Sequence, residues 1–374
     1  MERPVYSNVA FNLLSYALQD MTGKPYSELL VDYLTDPFNM TNTYPSPGNS
    51  TQGVIPSVPY FNSWGVDYGE HTPAGGLVST VSDLSILLHS LLSHTTLHTP
   101  TAVRQWLQPH SFLGSLYSGF GMPWETFRVP PEAVFPVDDP GHIITMVKKD
   151  GIAVGYRSRL AILDEYGAGF VILTAGDTGA MSVISNALLK TLAPVIDEIA
   201  RDQTQELGYA ETFTERCNGT LFNATFSLDD KGLRITSLFR NQTDIVAMLK
   251  LVYASTLGML ARNFLVGPDS ILRLYPAEVS STGVVGNRTV VREDWRLVWD
   301  NNPEVVSELP GQDISDFDCR SWETVDLLYY GNEPVDRIVF VKDFETGKVL
   351  GLEVPFLRSN GTIASSCWKG QVRD

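Results

Sequence analysis

Apolar residues recur three or four positions apart near the start of the chain, which is the spacing of a helix with one apolar face. The pattern predicts a helix over residues 7–20 that ends at Gly23, with the apolar set Val9, Leu13, Leu14, Ala17 and Leu18. A second helix is predicted to begin at Pro25 and Ser27 and to direct inward Leu29, Leu30, Tyr33 and Leu34. The N-terminal part is therefore predicted to be a helical layer.

Residues 44–73 break this pattern. They are rich in Pro, Ser, Gly and Asn, which predicts a long loop. After the loop, Ser82 and Asp83 are predicted to cap a further helix, whose apolar positions are Leu84, Leu87, Leu88, Leu91 and Leu92.

Residues 142–175 change to the short apolar runs that are typical of strands. Candidate strands cover residues 143–147, 158–163 and 169–174, with a turn at residues 164–167. Helical spacing returns over residues 180–201 and is interrupted by Pro194. The pattern predicts a three-stranded antiparallel meander that is closed by a helix.

From Tyr209 onwards the chain reads as short β runs separated by turns, at residues 220–228, 233–239, 290–299, 335–342 and 349–355. Alternation over residues 337–341 favours a half-buried strand, residues 343–348 favour a hairpin turn, and residues 244–264 favour a helical insert. The chain is therefore predicted to be an α+β protein with two domains, residues 1–205 and a β-rich domain of residues 206–374.

Charge and cysteine content limit the partners. The net charge of −16 argues against nucleic acid or an anionic membrane. The longest apolar stretch, residues 251–266, contains Arg262 and is too short to span a bilayer. The three cysteines, Cys217, Cys319 and Cys367, allow one disulfide and one remaining thiol. No metal and no cofactor are expected.

Seven Asn-x-Ser/Thr sequons stand in the chain, at Asn39, Asn49, Asn218, Asn223, Asn241, Asn287 and Asn360. Chance placement would give roughly two or three, so the number favours glycosylation and a secretory ancestry. No apolar run of a signal peptide follows the first four residues. The expected location is the secretory pathway, or the cytoplasm if the chain is complete as written.

Two short motifs carry the candidate chemistry, Tyr6-Ser7-Asn8 and Lys149-Asp150-Gly151. Serine enzymes of the β-lactamase and penicillin-binding type use a Ser-x-x-Lys helix turn, a Tyr-x-Asn loop and a Lys-x-Gly strand, in that order. Each motif alone is common by chance. The order of the segments around the two motifs narrows the choice of protein family. These segments are residues 22–26, 36–43, 74–84, 106–109 and 121–125.

In this succession the chain resembles the class C β-lactamase and serine esterase family, in a fungal branch. The resemblance is strong over residues 4–200 and weaker over residues 209–374. It implies a partial β-lactamase/transpeptidase-like domain, a helical layer plus an antiparallel sheet, before the β-rich domain. It also implies acyl transfer from an ester, amide or thioester through an acyl-serine, on a small-molecule acyl substrate, with fungal secondary metabolism as the expected setting.

The resemblance also assigns roles. Tyr6 corresponds to the base or proton shuttle, Asn8 to the residue that hydrogen-bonds the partner lysine or the substrate, and Lys149 to the strand lysine that supplies positive potential. Gly151 is expected to let the substrate approach, and the Ile152 N–H is expected to donate to the oxyanion. Two alternatives stay open: Tyr6 as an ordinary core or loop tyrosine, and the two adjacent lysines as a solvated pair.

Asp150 departs from the Thr or Ser that is usual between the lysine and the glycine. A carboxylate there is expected to repel an anionic β-lactam, which argues against β-lactamase activity as such.

The nucleophile is missing from the expected place, because only five residues precede Tyr6. The sole literal Ser-x-x-Lys, Ser366 to Lys369, lies at the C-terminus and follows the other motifs. Thr145 and Lys148 have the same spacing but belong to a predicted strand. His94 and His98 are four residues apart at a predicted fraying helix end, so they are not expected to bind zinc. The chain is thus expected to be inactive alone; the alternatives are a pseudoenzyme that binds an acyl compound or a partner protein, and an active protein whose upstream exon is missing from the sequence.

Overall fold

The computed structural model describes residues 5–57, 61–136, 142–217, 220–260, 266, 270–300, 322 and 324–362. The chain divides into two compact units, Met1–Asp197 and Glu198–Asp374. The division falls inside a long helix, and the predicted boundary after residue 205 falls at the end of the same helix. The α+β class is confirmed: helices and antiparallel sheets occur together in the first unit, and strands dominate the second.

The first unit begins with a helical layer, as predicted. Its elements are α1 (Asn8–Thr22), α2 (Tyr26–Leu30) with a π-helical continuation (Val31–Thr35), a ribbon of β1 (Tyr44–Pro45) and β2 (Leu77–Val78), a 3₁₀ turn (Gly69–His71), α3 (Thr72–Gly75), α4 (Val81–Leu92) and α5 (Pro100–Leu107). Gly23 ends α1 with a left-handed φ of 70° that glycine adopts without strain. The cap of α4 is Thr80, whose hydroxyl accepts from the Asp83 N–H, rather than the predicted Ser82 and Asp83.

The burial of α1 is the reverse of an ordinary amphipathic helix. Its buried residues are the polar Asn12 and Ser15, and the Asn12 amide donates to His71 Nδ1 at 2.8 Å. The apolar residues of the predicted face are exposed, as are others nearby: Val9, Leu13, Leu14, Leu18 and Met21. In α2, Leu29 and Leu30 are buried as predicted, but Tyr33 beyond it is exposed.

The sheet of the first unit has six antiparallel strands in sequence order. These are β3 (Ser111–Phe112), β4 (Ser118–Phe120), β5 (Glu125–Val129), β6 (Ile144–Ala153), β7 (Tyr156–Leu163) and β8 (Ala168–Ala175), with the short α6 (Pro131–Val134) after β5. The last three are the predicted meander. The first three were not predicted, because short strands with mixed composition carry little periodic signal.

Helices cover both faces of this sheet. The long helix α7 (Ala180–Glu206), which continues through Pro194, packs Met181, Leu189 and Ala193 against one face. On the other face, Leu88 and Leu91 of α4 and Val103 of α5 pack against strand residues that include Leu160 and Ile162. β6 therefore has one face towards α7 and one towards α4.

The second unit is a closed antiparallel barrel. Its strands are β9 (Thr212–Cys217), β10 (Thr220–Asp229), β11 (Gly232–Arg240) with the short β12 (Thr243–Asp244), β13 (Ile271–Val285), β14 (Arg288–Asp300), β17 (Arg337–Asp343), β18 (Val349–Val354) and β19 (Ser359–Thr362), with the separate ribbon β15 (Tyr329–Tyr330) and β16 (Glu333–Pro334). β10 pairs with both β9 and β11, and β19 returns to β9 through Thr362 and Thr214. Closure of this kind removes the exposed sheet edges.

Aromatic side chains fill the core of the barrel. Phe213, Phe226 and Phe340 meet in edge-to-face pairs with ring centroids 5.5–6.0 Å apart. The predicted helical insert is α8 (Ile245–Leu260), and its Tyr253 packs edge-on against Trp299 of β14 at 5.3 Å. None of the helices in the described part of the chain has the length and apolarity needed to cross a bilayer. Cys217 ends β9, while Cys319 and Cys367 lie outside the described residues.

Candidate active site

Three of the residues singled out in the sequence lie together at the start of α1 and on β6. The Lys149 ammonium lies over the Tyr6 ring, 5.1 Å from its centroid, and the Tyr6 hydroxyl donates to Asn8 Oδ1 at 2.9 Å. Tyr6 is 60% exposed. The lysine charge and the aromatic face attract each other, so a cation, a phenol and an amide are grouped on one accessible surface.

A carboxylate that the sequence reasoning missed holds the lysines. Glu125 of β5 lies directly opposite Lys148 in the sheet register, and its two oxygens accept from Lys148 Nζ at 2.7 Å and from Lys149 Nζ at 2.9 Å. Burial opposes ionisation of Glu125, but the hydrogen bonds and charges of the two lysines outweigh it and hold its pKa below the ordinary value. Glu125 thus fixes the position of the Lys149 ammonium.

Asp150 does not present a free negative charge at this site. Asp150 follows Lys149 on the strand, so the two side chains point to opposite faces of the sheet. Arg159 donates to both Asp150 oxygens at 2.7 and 2.8 Å, and Lys148 donates to one of them at 2.7 Å. Burial disfavours the charged form, yet these cations hold the pKa of Asp150 below its ordinary value. Arg159 also donates to the buried Ser185 of α7. The expected repulsion of an anionic substrate stays a prediction, and the pairing of this carboxylate with two cations on the α7 face argues against it.

Gly151 closely faces a serine of the neighbouring strand. A Cβ at this position would lie 2.2 Å from the Oγ of Ser158, the residue paired with it on β7. A larger residue here would therefore displace the Ser158 hydroxyl, and the predicted role of Gly151 in substrate approach stays a prediction.

Beyond Lys148, β6 has no strand partner on its β5 side among the residues that the structure describes. β5 pairs with β6 only as far as Lys148, and β7 pairs with the other edge up to Ala153 and Tyr156. This last pair closes a two-residue turn, so it exchanges both hydrogen bonds, and the alternation along the strand points the Ile152 N–H away from β7. The N–H therefore faces the β5 side of the strand, as a donor to a bound oxyanion would, and its role as that donor stays a prediction.

The candidate nucleophiles are not brought to this site. Thr145 and Lys148 lie on β6, as predicted, and three positions along a strand place side chains on opposite faces. Ser366 and Lys369 fall outside the described residues. Across the described ranges, no serine hydroxyl lies within hydrogen-bond distance of the Tyr6 hydroxyl or Lys149 Nζ.

Of the two histidines His94 and His98, His94 makes a structural contact. His94 Nε2 lies 2.9 Å from Asp164 Oδ1, which joins the end of α4 to the turn between β7 and β8. Within the part of the chain that the structure describes, no group of three His, Cys, Asp or Glu side chains is placed to hold a metal ion.

Residues 2–194 match the Beta-lactamase family, and residues 200–363 match the family described as Beta-lactamase-like-like, C-terminal domain. The chain belongs to the β-lactamase family.

Individual relatives agree with this family membership. The chain is 38% identical over 375 residues to a Beta-lactamase-like protein of Arthroderma benhamiae, a match that covers 96% of this chain and 60% of that protein. It is 27% identical to a probable hydrolase of Cochliobolus lunatus and 26% identical to a probable hydrolase of a Phoma species, each over 351 residues. These two matches cover 92% of this chain and 53% and 54% of those proteins, so the chain spans little more than half the length of the curated relatives.

Among solved structures, the octameric penicillin-binding protein homologue from Pyrococcus abyssi is similar at 15% identity and a TM-score of 0.41, covering 80% of this chain and 64% of that one.

Proposed function

We propose that this chain supplies the activating half of a serine acyl-transfer site. The observation that carries the proposal is the grouping of Tyr6, Asn8 and Lys149, with the Lys149 ammonium over the Tyr6 ring and the Tyr6 hydroxyl held by Asn8. The serine nucleophile is proposed to come from polypeptide outside this sequence.

The chemistry follows from the grouping. The serine oxygen attacks the carbonyl carbon of an ester, amide or thioester, and the bond from that carbon to the leaving group breaks. As the Tyr6 oxygen accepts the serine proton, the Tyr6 hydroxyl passes its own proton to the leaving group. The fixed charge of Lys149 offsets negative charge on the tyrosine oxygen, and the outward Ile152 N–H is aimed where the carbonyl oxygen becomes negative. Water then releases the acyl group, or another acceptor takes it.

The exposed face of α1 supports an external source for the nucleophile. Val9, Leu13 and Leu14 lie on this face with more than half of each side chain in water. A contiguous apolar patch of this kind typically marks an interaction site. β8 has β7 as its one strand partner among the described residues, so its other edge carries unpaired N–H and C=O groups. We propose that the additional polypeptide covers α1, β8 or both.

A binding protein without catalysis is the second candidate. It is favoured by one observation: Lys149 is engaged by Glu125 and by the Asp150 carbonyl, and no described serine reaches it. In that case the same surface would bind an acyl compound and leave it intact.

Glycosylation in a secretory compartment is also proposed. Of the sequon residues that the structure describes, Asn39, Asn49, Asn241 and Asn287 are exposed, whereas Asn223 and Asn360 are half-buried in strands; Asn218 lies outside the described residues. The exposed four are the sites that a glycosylating enzyme could reach in the folded protein.

Ester hydrolysis tests the proposal. We expect the chain alone to hydrolyse p-nitrophenyl acetate at the background rate. Joined to the portion of the Arthroderma benhamiae relative that the match leaves uncovered, it should hydrolyse the ester catalytically, and a Lys149→Ala version of the joined protein should be the weakened control. Catalysis by the chain alone would place the nucleophile inside it, and a folded joined protein with background rates would favour the binding candidate.

A further inference from the structure

A cavity at the surface of the first unit lies beside the turn between β6 and β7. It has a volume of about 510 Å³, and its wall includes Phe61, Tyr68, Ile152, Val154, Arg157 and Thr178. Cavities of about 300–1,000 Å³ are typical of small-molecule sites.

The wall is mainly apolar and open to water. Phe61 is 89% exposed, Ile152 76% and Val154 61%. Three large apolar side chains around one concavity offer apolar area that a ligand would remove from water, which favours binding.

A single cation is fixed in this apolar wall. Arg157 lies directly opposite Ile152 in the register of β6 and β7, so the two side chains share a face. Its Nη1 donates to the carbonyls of Ala153 and Tyr156 at 2.9 and 2.8 Å, which holds the guanidinium in place. Its Nε and Nη2 have no acceptor within hydrogen-bond distance among the described residues. Arg159, two residues further along β7, is paired with Asp150. Arg157 has no carboxylate partner among the residues that the structure describes.

The walls are tied to one another before any ligand binds. The Ser63 N–H donates to the Val154 carbonyl at 2.9 Å, and the Gly176 N–H donates to the Gly155 carbonyl at 2.9 Å. A Cβ on Gly155 would lie 2.6 Å from the Phe61 carbonyl oxygen, so the loop and the turn are in close contact. A ligand therefore spends little binding energy on ordering the site.

We infer that this cavity binds a small amphipathic carboxylate. The apolar chain of the ligand lies against Phe61, Ile152 and Val154, and its carboxylate accepts from the two available nitrogens of Arg157. A guanidinium with two adjacent donors matches a carboxylate in a bidentate geometry. The net charge of −16 makes a protein of this kind repel anions in general, so the selectivity comes from this local cation. The site does not depend on the acyl-transfer proposal, because it needs no nucleophile.

Methyl NMR of the full 374-residue chain tests the inference with octanoate as the probe and 1-octanol as its uncharged counterpart. We expect octanoate to shift the Ile152 and Val154 methyl signals saturably. Arg157→Gln should weaken octanoate binding about tenfold or more, through loss of a charge-assisted bidentate contact, while octanol binding changes little. Arg128→Gln, at an exposed arginine of β5, is the matched control and should leave both affinities unchanged.

Two outcomes would overturn the inference. One is the absence of saturable shifts at Ile152 and Val154 with octanoate. The other is an equal loss of octanoate and octanol affinity in Arg157→Gln, which would indicate a disturbed wall and no carboxylate contact. If Arg157→Gln does not fold, the wild-type preference for octanoate over octanol decides the matter: equal affinity contradicts a role for Arg157, and a preference of about tenfold for octanoate supports it.

Discussion

Replacing Tyr6 with phenylalanine is expected to lower ester hydrolysis by the joined protein by about 10²–10⁴, the usual contribution of one positioned general base. Phenylalanine keeps the ring that lies under the Lys149 ammonium, so packing changes little. It removes the hydroxyl that donates to Asn8, and with it the oxygen that would carry the proton. The measurement is kcat/KM for p-nitrophenyl acetate.

Tyr16→Phe is the matched control for this prediction. Tyr16 lies on α1, and its exposed hydroxyl donates to Glu70 at 3.0 Å. Its loss should leave the rate within about twofold, as for surface changes that lack a special role. Lys149→Ala should also lower the rate, and the two losses should not add, because the lysine is proposed to act through the tyrosine. Unchanged rates in Tyr6→Phe would make Tyr6 an ordinary loop tyrosine.

Replacing Arg273 with alanine is expected to destabilise the second unit by about 3–5 kcal/mol, the cost of removing one partner from a buried ion pair. The Arg273 side chain is 4% exposed. It donates to both oxygens of Asp229 at 2.6 and 3.0 Å and to Asp300 at 2.6 Å. Without it, Asp300 loses this ion pair and, among the described residues, Asp229 keeps only the more distant Arg234, at 3.6 Å.

Hydrogen exchange of peptides from β13 and β14 measures this effect for the second unit alone. Arg234→Ala is the control, because Arg234 is more exposed and lies 3.6 Å from the same Asp229; its loss should cost less than about 1 kcal/mol. Equal protection in Arg273→Ala and the wild-type chain would contradict the account of the buried cluster.

Local signals explain which parts of the fold the sequence predicted. Three elements depend on residues that are close in the sequence. Apolar spacing predicts α7, and runs of β-branched residues predict the meander of β6 to β8. The turn at Gly347 contains a glycine with a φ of 70°. The grouping of Tyr6 with Lys149 came from motif order within a family resemblance, and the residues lie together in the structure.

The remaining features depend on contacts between distant segments. Glu125 meets the lysines only because β5 and β6 pair in one register, and a shift by one residue would turn it to the other face. Among the described residues, β19 joins β9 and closes the barrel through the pairing of Thr214 with Thr362. The apolar face that the spacing predicts for α1 is exposed. Apolar spacing identifies such a face, but it does not show which other segment covers it.

Intact mass spectrometry after treatment with a fluorophosphonate probe tests the central claim most directly. The account predicts that the 374-residue chain remains unlabelled. It predicts that the joined protein gains one label, on a serine outside this chain, and that Tyr6→Phe slows the labelling. Stoichiometric labelling of any serine within the chain alone, or labelling of the joined protein at a rate that Tyr6→Phe leaves unchanged, would contradict it.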